Sequence, residues 1–374
     1  MMAEIRLTEN QRAVVEDRGG TLLVSAAAGS GKTKVLIDRV LARVSDERCN
    51  VDDFLMITFT QAAASELRGK LLTELSRRLT EQPENRHLQH QLSRVYLAQI
   101  STVHAFCGAI LREYVHRTSL PADFRVSDEQ ENAALRDKAM QRLLAELYAQ
   151  VRENADYTAA LEMLGAGRDE RRLRELIYAL LSSVQAYPDP NARLEAFERM
   201  VDVSDCSDAG QTVWGAYLLE EARVRLRDCM EMLRSAQSRA QENESVVKYA
   251  PTFASDAEML DALLQAQSWD DFRSVDTRFG RLPTIRGCAD PDTQEQLKAV
   301  RKRVKDEVER IRRDFSVASC EALADLALCM PALRGLLRLT KRLGEIYCEE
   351  KRRRHLLDYD DLEHEAYRLL CRDG

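Results

Sequence analysis

The chain has 374 residues, 45% hydrophobic and 31% charged, with a formal net charge of −7. That length allows two or three domains with sizeable cores, and the composition excludes bulk disorder and a small disulfide-stapled scaffold. No apolar run approaches the roughly 20 residues a bilayer span needs, so no membrane partner is expected, and 15 glycines and 8 prolines are few enough to favour long helices.

The first six residues include Glu4 and Arg6 and no apolar segment, so they do not read as a secretory signal and a cytoplasmic chain is expected. Nine scattered cysteines without a C-x-x-C pair fit a reducing compartment. Charge is uneven: residues 1–118 hold 16 Lys and Arg against 14 Asp and Glu, and the remainder is acidic. The chain is therefore not coated in phosphate contacts, although a local groove can still take nucleic acid.

Reading from the N-terminus, Thr8 and Gln11 have the spacing of a helix capping box. The Gln11 amide, a paired donor and acceptor just upstream of a glycine-rich turn, also has the chemistry to read an adenine edge. Residues 21–25 read as a strand, and Ala26, Ala27, Ala28, Gly29, Ser30, Gly31, Lys32 and Thr33 follow it and open a helix over 32–44. Glycines there let backbone N–H groups surround phosphate oxygens, Lys32 reaches the β/γ-phosphates, and Thr33 offers a hydroxyl to Mg²⁺.

A second strand is expected over 54–58, ending in Thr58-Phe59-Thr60, then a helix over 61–79 and a third strand over 99–102 that closes on Ser101-Thr102-Val103-His104. Alternating strands and helices predict a parallel sheet, whose ligands gather beyond the carboxyl ends of the strands. Phe59, taken alone, reads as a core residue, and His104 as a packed one. His87 and His90 share a helix face that is expected to be solvated.

From about 120 to 357 the pattern is almost wholly helical. Leu219, Ala222, Leu226, Cys229, Leu233, Ala236 and Ala240 form one apolar stripe, and Leu297, Val300, Val304, Val308, Ile311 and Phe315 another. Both are expected to face an ordinary bundle core. Arg352, Arg353 and Arg354 read as a solvated charge run, and Asp358-Tyr359-Asp360-Asp361 as the first turn of a helix with no buried strand before it.

Taken together, these phrases resemble the UvrD-like superfamily 1 DNA helicases, and within them the subfamily of A-type helicase-nuclease subunits. Leu7 to Gln11, Ala26 to Thr33, Thr58-Phe59-Thr60 and Ile100 to Cys107 carry the likeness, with support from Asp123 to Glu129 and Leu357 to His364. Gln61 and Ala62 depart from the Asn-Lys common in the wider family after T-F-T; Ala62 is familiar in the subfamily, and Gln61 leaves that position's contact open.

The resemblance implies an α/β fold: a partial RecA-like P-loop domain at 1–118, a large all-α inserted domain at 119–356 and a return helix at 357–374. It implies that ATP and Mg²⁺ are bound by Gln11, the loop from Ala26 to Gly31, Lys32 and Thr33, and that Phe59, Thr60, Thr102 and His104 line a path for single-stranded DNA. It further implies double-stranded DNA as a substrate, 3′ to 5′ translocation, end processing in repair and recombination, a heterodimer with the B-type helicase-nuclease subunit, and a nucleoid-associated bacterial protein. The acidic pair that such an ATPase needs after an apolar strand is not found in the sequence. The chain is therefore expected to be an N-terminal piece that binds nucleotide without hydrolysing it. The alternatives are a UvrD-type helicase without a nuclease and a non-catalytic nucleotide-binding module.

Overall fold

The computed structural model describes residues 7–27, 29–45, 49–165 and 169–371. In chain order the helices and strands are α1 (Glu9–Glu16), α2 (Lys32–Ser45), β1 (Leu55–Thr58), α3 (Gln61–Glu81), α4 (Arg86–Arg94), β2 (Gln99–Thr102), α5 (Val103–Glu113) and β3 (Arg125–Val126). There follow α6 (Glu129–Gln150), α7 (Ala155–Leu164), α8 (Arg171–Gln185), α9 (Pro190–Val201), α10 (Val213–Glu242), α11 (Ala250–Gln265) and α12 (Trp269–Ser274). The chain continues through α13 (Pro291–Asp314), α14 (Ser319–Arg352), β4 (Leu356–Leu357) and α15 (Tyr359–Leu370). Among the described residues the chain is mostly helical, with two small parallel sheets. It divides into two compact units, residues 1–133 with 351–374 and residues 134–350. The divisions fall inside α6 and α14.

In the first unit β1 and β2 pair in parallel, Leu55 with Gln99 through Thr58 with Thr102. Parallel neighbours need a crossover, and α3 and α4 supply it. Leu67, Leu71 and Leu75 recur at four-residue spacing on α3 and pack with Ile37, Val40, Leu41 and Val44 of α2 and with Met56 and Ile100 of the strands. Thr60 and Thr102 stop the strands and start the helices, because each side chain accepts from a backbone N–H three residues on, Ala63 and Ala105 respectively.

The strand expected at 21–25 does not form: the segment has no regular secondary structure and joins no ladder, and Leu22, Leu23 and Val24 are 43%, 92% and 43% exposed. Strand character requires a hydrogen-bonding neighbour, and no described strand pairs with it. A second sheet escaped the sequence reading. β3 and β4, two residues each, pair in parallel, and Leu356 and Leu357 are buried. A buried strand therefore does precede Asp358, contrary to expectation; too short for a periodic pattern, it gave no signal.

In the second unit the two apolar stripes become one bundle core. The seven stripe residues of α10 are all buried, and Leu297, Val304, Val308, Ile311 and Phe315 join them together with Phe253 and Leu260 of α11. Val300 is only partly buried against this core. Among the described residues no single helix is long and apolar enough to cross a membrane.

Candidate nucleotide and nucleic-acid site

The glycine-rich turn is shaped by two left-handed residues, Gly29 at φ +78° and Gly31 at φ +81°, a conformation that costs an L side chain roughly 1–2 kcal/mol. Lys32 begins α2 immediately afterwards. Its ammonium donates back to the carbonyls of Ala26 at 2.5 Å and Ala27 at 2.7 Å, so the turn closes around its own cation. Thr33 is exposed in the first turn of the helix, whose N-terminus adds partial positive charge. Ala28 lies outside the described residues.

Gln11 reaches this turn from α1. The expected capping box is present: the Gln11 N–H donates to Thr8 Oγ1 at 3.3 Å and the Thr8 N–H to Gln11 Oε1 at 3.0 Å. The remaining end of the amide, Nε2, donates to the Ser30 carbonyl at 3.1 Å. Arg39 holds α1 against α2 by donating to the Val14 carbonyl and approaching Asp17 Oδ2 at 3.4 Å. Between these elements lies a cavity of about 750 Å³, lined by Asn10, Gln11, Ser30, Lys32, Leu36 and Arg39 among others, with no carboxylate among the described residues of its wall. Its size suits a nucleotide. Sequence reasoning missed Arg39 here, although Lys32, Val35, Leu36 and Arg39 have the i, i+3, i+4, i+7 spacing of one helix face.

At the tips of β1 and β2 the paired Thr58 and Thr102 bring Thr58-Phe59-Thr60 beside Thr102-Val103-His104. The hydroxyls of Thr60 and Thr102 are engaged as helix caps, at 3.1 Å and 3.3 Å. Phe59 is fully exposed, so the core reading is overturned: it lies in the turn between the end of β1 and the start of α3. His104 is not packed away either. Its side chain is 41% exposed, with Nε2 3.0 Å from Glu363 Oε1 and the ring stacked on Tyr359 at 4.3 Å and 23°. Tyr359 and Glu363 lie one turn apart on α15, more than 250 residues along the chain, and no local pattern links them to His104.

The acidic segment does open a helix: Asp358 caps α15 by accepting from the Asp361 N–H at 2.9 Å. Lys351, just before the arginine run, is buried, its ammonium 2.7 Å from Asp358 and 2.5 Å from Asp361, because folding brings the end of α14 against these two carboxylates. Burial pushes the Asp361 carboxyl up, against the opposing pull of Lys351, and burial likewise raises Asp360. Arg352, Arg353 and Arg354 are exposed as expected. Burial, then the charge of Glu363, raises the Cys107 thiol. His87 is half-buried rather than solvated, its Nε2 2.8 Å from the Val44 carbonyl, while His90 is exposed. Among the described strands β4 pairs with β3 and not with β1 or β2, so no ladder joins the strand before Asp358 to the β1–β2 sheet.

The glycine turn opens a helix whose apolar face packs with two parallel strands, each followed by a capped helix. The chain belongs to the UvrD/REP helicase family: the profile of the UvrD/REP helicase N-terminal domain matches residues 7–373. Among similar curated proteins, the A-type subunit of the ATP-dependent helicase/nuclease of Acetivibrio thermocellus is 32% identical over 381 residues, 99% of this chain and 30% of the relative. The proteins of the same name from Ruminiclostridium cellulolyticum and Listeria monocytogenes serotype 4b are 30% and 32% identical over 379 and 378 residues. This chain spans about 30% of the length of these relatives.

Proposed function

We propose that this chain forms the nucleotide-binding and strand-contacting part of an ATP-dependent DNA helicase-nuclease that works on DNA ends in double-strand-break repair and recombination. The observation that carries the reading is the turn between Gly29 and Lys32, with two left-handed glycines, a helix N-terminus and a lysine ammonium converging on one 750 Å³ cavity. In this reading residues 1–118 are part of a RecA-like domain, 119–356 its helical insertion and 357–374 the returning segment. Translocation from 3′ to 5′, partnership with the B-type helicase-nuclease subunit, and a bacterial cytoplasmic, nucleoid-associated location belong to the same proposal.

Each residue then has a physical task. Lys32 exchanges the carbonyls of Ala26 and Ala27 for β/γ-phosphate oxygens, replacing dipole contacts by charge-assisted bonds. The loop from Ala26 to Gly31 wraps phosphates with backbone N–H groups. Gln11, already bonded to the Ser30 carbonyl, retains one amide hydrogen and one lone pair for the adenine edge and so connects base to loop. Thr33 is placed to hold Mg²⁺, which when bound neutralises phosphate charge. Phe59 offers an exposed ring for base stacking, and Thr60, Thr102 and His104 approach the backbone phosphates with helix N-termini and an imidazole.

Hydrolysis needs a carboxylate to activate water, and the described cavity wall supplies none. This chain is therefore expected to bind ATP while turning it over at background rate. Titration of a fluorescent ATP analogue should show saturable binding that weakens at least about tenfold in Lys32→Ala, the loss of a charge-assisted contact to phosphate. Equal affinity in the variant would refute the site, and robust phosphate release by the 374-residue chain would refute the claim about turnover.

A further inference from the structure

We propose that Glu363 is a built-in competitor for the DNA backbone phosphate at His104, displaced when single-stranded DNA enters and reseated when it leaves. The inference rests on the reading of the strand tips as a single-strand path. Two contacts fix the imidazole: the ring lies on Tyr359 at 4.3 Å, and Nε2 meets Glu363 Oε1 at 3.0 Å. A carboxylate oxygen is a close side-chain counterpart of a phosphodiester oxygen, carrying one negative charge and accepting from the same donor. His104 follows Thr102, the last residue of β2 and the cap of α5, so its nitrogen stands at the rim where the strands end.

The carboxylate is built to exchange. Glu363 and His104 are 50% and 41% exposed, so the pair can part without leaving a buried charge behind, unlike Lys351 with Asp358. Tyr359 holds the ring by stacking, a contact that does not depend on which anion occupies Nε2. Exchange leaves the imidazole in place and swaps one oxygen ligand for another. The cost of removing Glu363 lowers affinity for the strand, which suits a surface that must let go of each phosphate in turn.

The test is a double-mutant cycle on the 374-residue chain, reading the Kd of a fluorescent oligothymidylate for the parent, Glu363→Ala, His104→Ala and the double variant. Glu363→Ala should tighten binding about two- to fivefold, the range expected for removing a half-exposed ionic competitor, and the gain should vanish in the His104→Ala background. An equal gain in both backgrounds would reduce Glu363 to a distant charge and overturn the proposal. Weaker binding by Glu363→Ala would do the same, since a carboxylate that merely positions His104 must be missed when it is gone. Binding by neither the parent nor Glu363→Ala would instead remove the single-strand reading itself.

Discussion

Gly31 shows most directly how one residue's backbone sets the site. At φ +81° it accepts no Cβ without strain, and the added atom would also lie 3.6 Å from Gln11 Nε2, an ordinary contact. The effect of Gly31→Ala is therefore conformational rather than steric, about 1–2 kcal/mol, and should appear as roughly a tenfold loss in nucleotide affinity with little change in melting temperature. Calorimetric titration beside a thermal melt separates the two. The sequence announced this turn through its residue types. The second bond of Gln11, to the Ser30 carbonyl, was not legible, since it requires α1 to be packed against the loop before its amide can reach.

Among the elements, the junction of α14, β4 and α15 departs furthest from its sequence reading. Lys351 neutralises two carboxylates that are themselves inside, and deleting one partner of such a network commonly costs about 3–5 kcal/mol. Lys351→Ala should thus lower the denaturation midpoint strongly. The pH dependence has a definite sign. The folded-state value of Asp361 is already raised by burial, so its contribution to stability is present below its unfolded value and is lost as pH rises through the folded one. Removing Lys351 raises that value further, and the variant should lose stability more steeply than the parent as pH rises through it, as urea titrations across a pH series would reveal. In the helical unit, Leu226 on α10 is fully buried in the bundle core, and Leu226→Ala should cost about 2–5 kcal/mol. Val300, only partly buried, should cost distinctly less when cut back, a contrast that heat-denaturation midpoints would display.

At the scale of the whole molecule, apolar residues remain uncovered beside the small sheet. Leu55, Ile57 and Phe59, on and just past β1, are 52%, 43% and 102% exposed, no described strand other than β2 pairs with β1, and Leu23 is 92% exposed. Such an edge invites association with another chain. Sedimentation velocity should show concentration-dependent self-association that Leu23→Lys reduces; identical sedimentation of parent and variant would count against it. Division into two compact units predicts two melting transitions, with Lys351→Ala lowering that of one unit and Leu226→Ala that of the other.

Local features are written in the sequence itself. Glycines before a Lys-Thr pair, threonines that end a strand and cap the next helix, and 3- and 4-residue apolar stripes each encode their structure within a few residues, and the glycine turn, β1, β2, α2, α3, α10 and α13 were legible for that reason. Family membership was legible too, because several such phrases occur in one order. Folding alone settled what depends on a distant partner: that residues 21–25 form no ladder, that Lys351 is buried, that two residues at 356–357 pair with two at 125–126, and that Tyr359 and Glu363 close on His104. Strand pairing and charge burial are properties of two segments at once, and neither segment carries a record of the other.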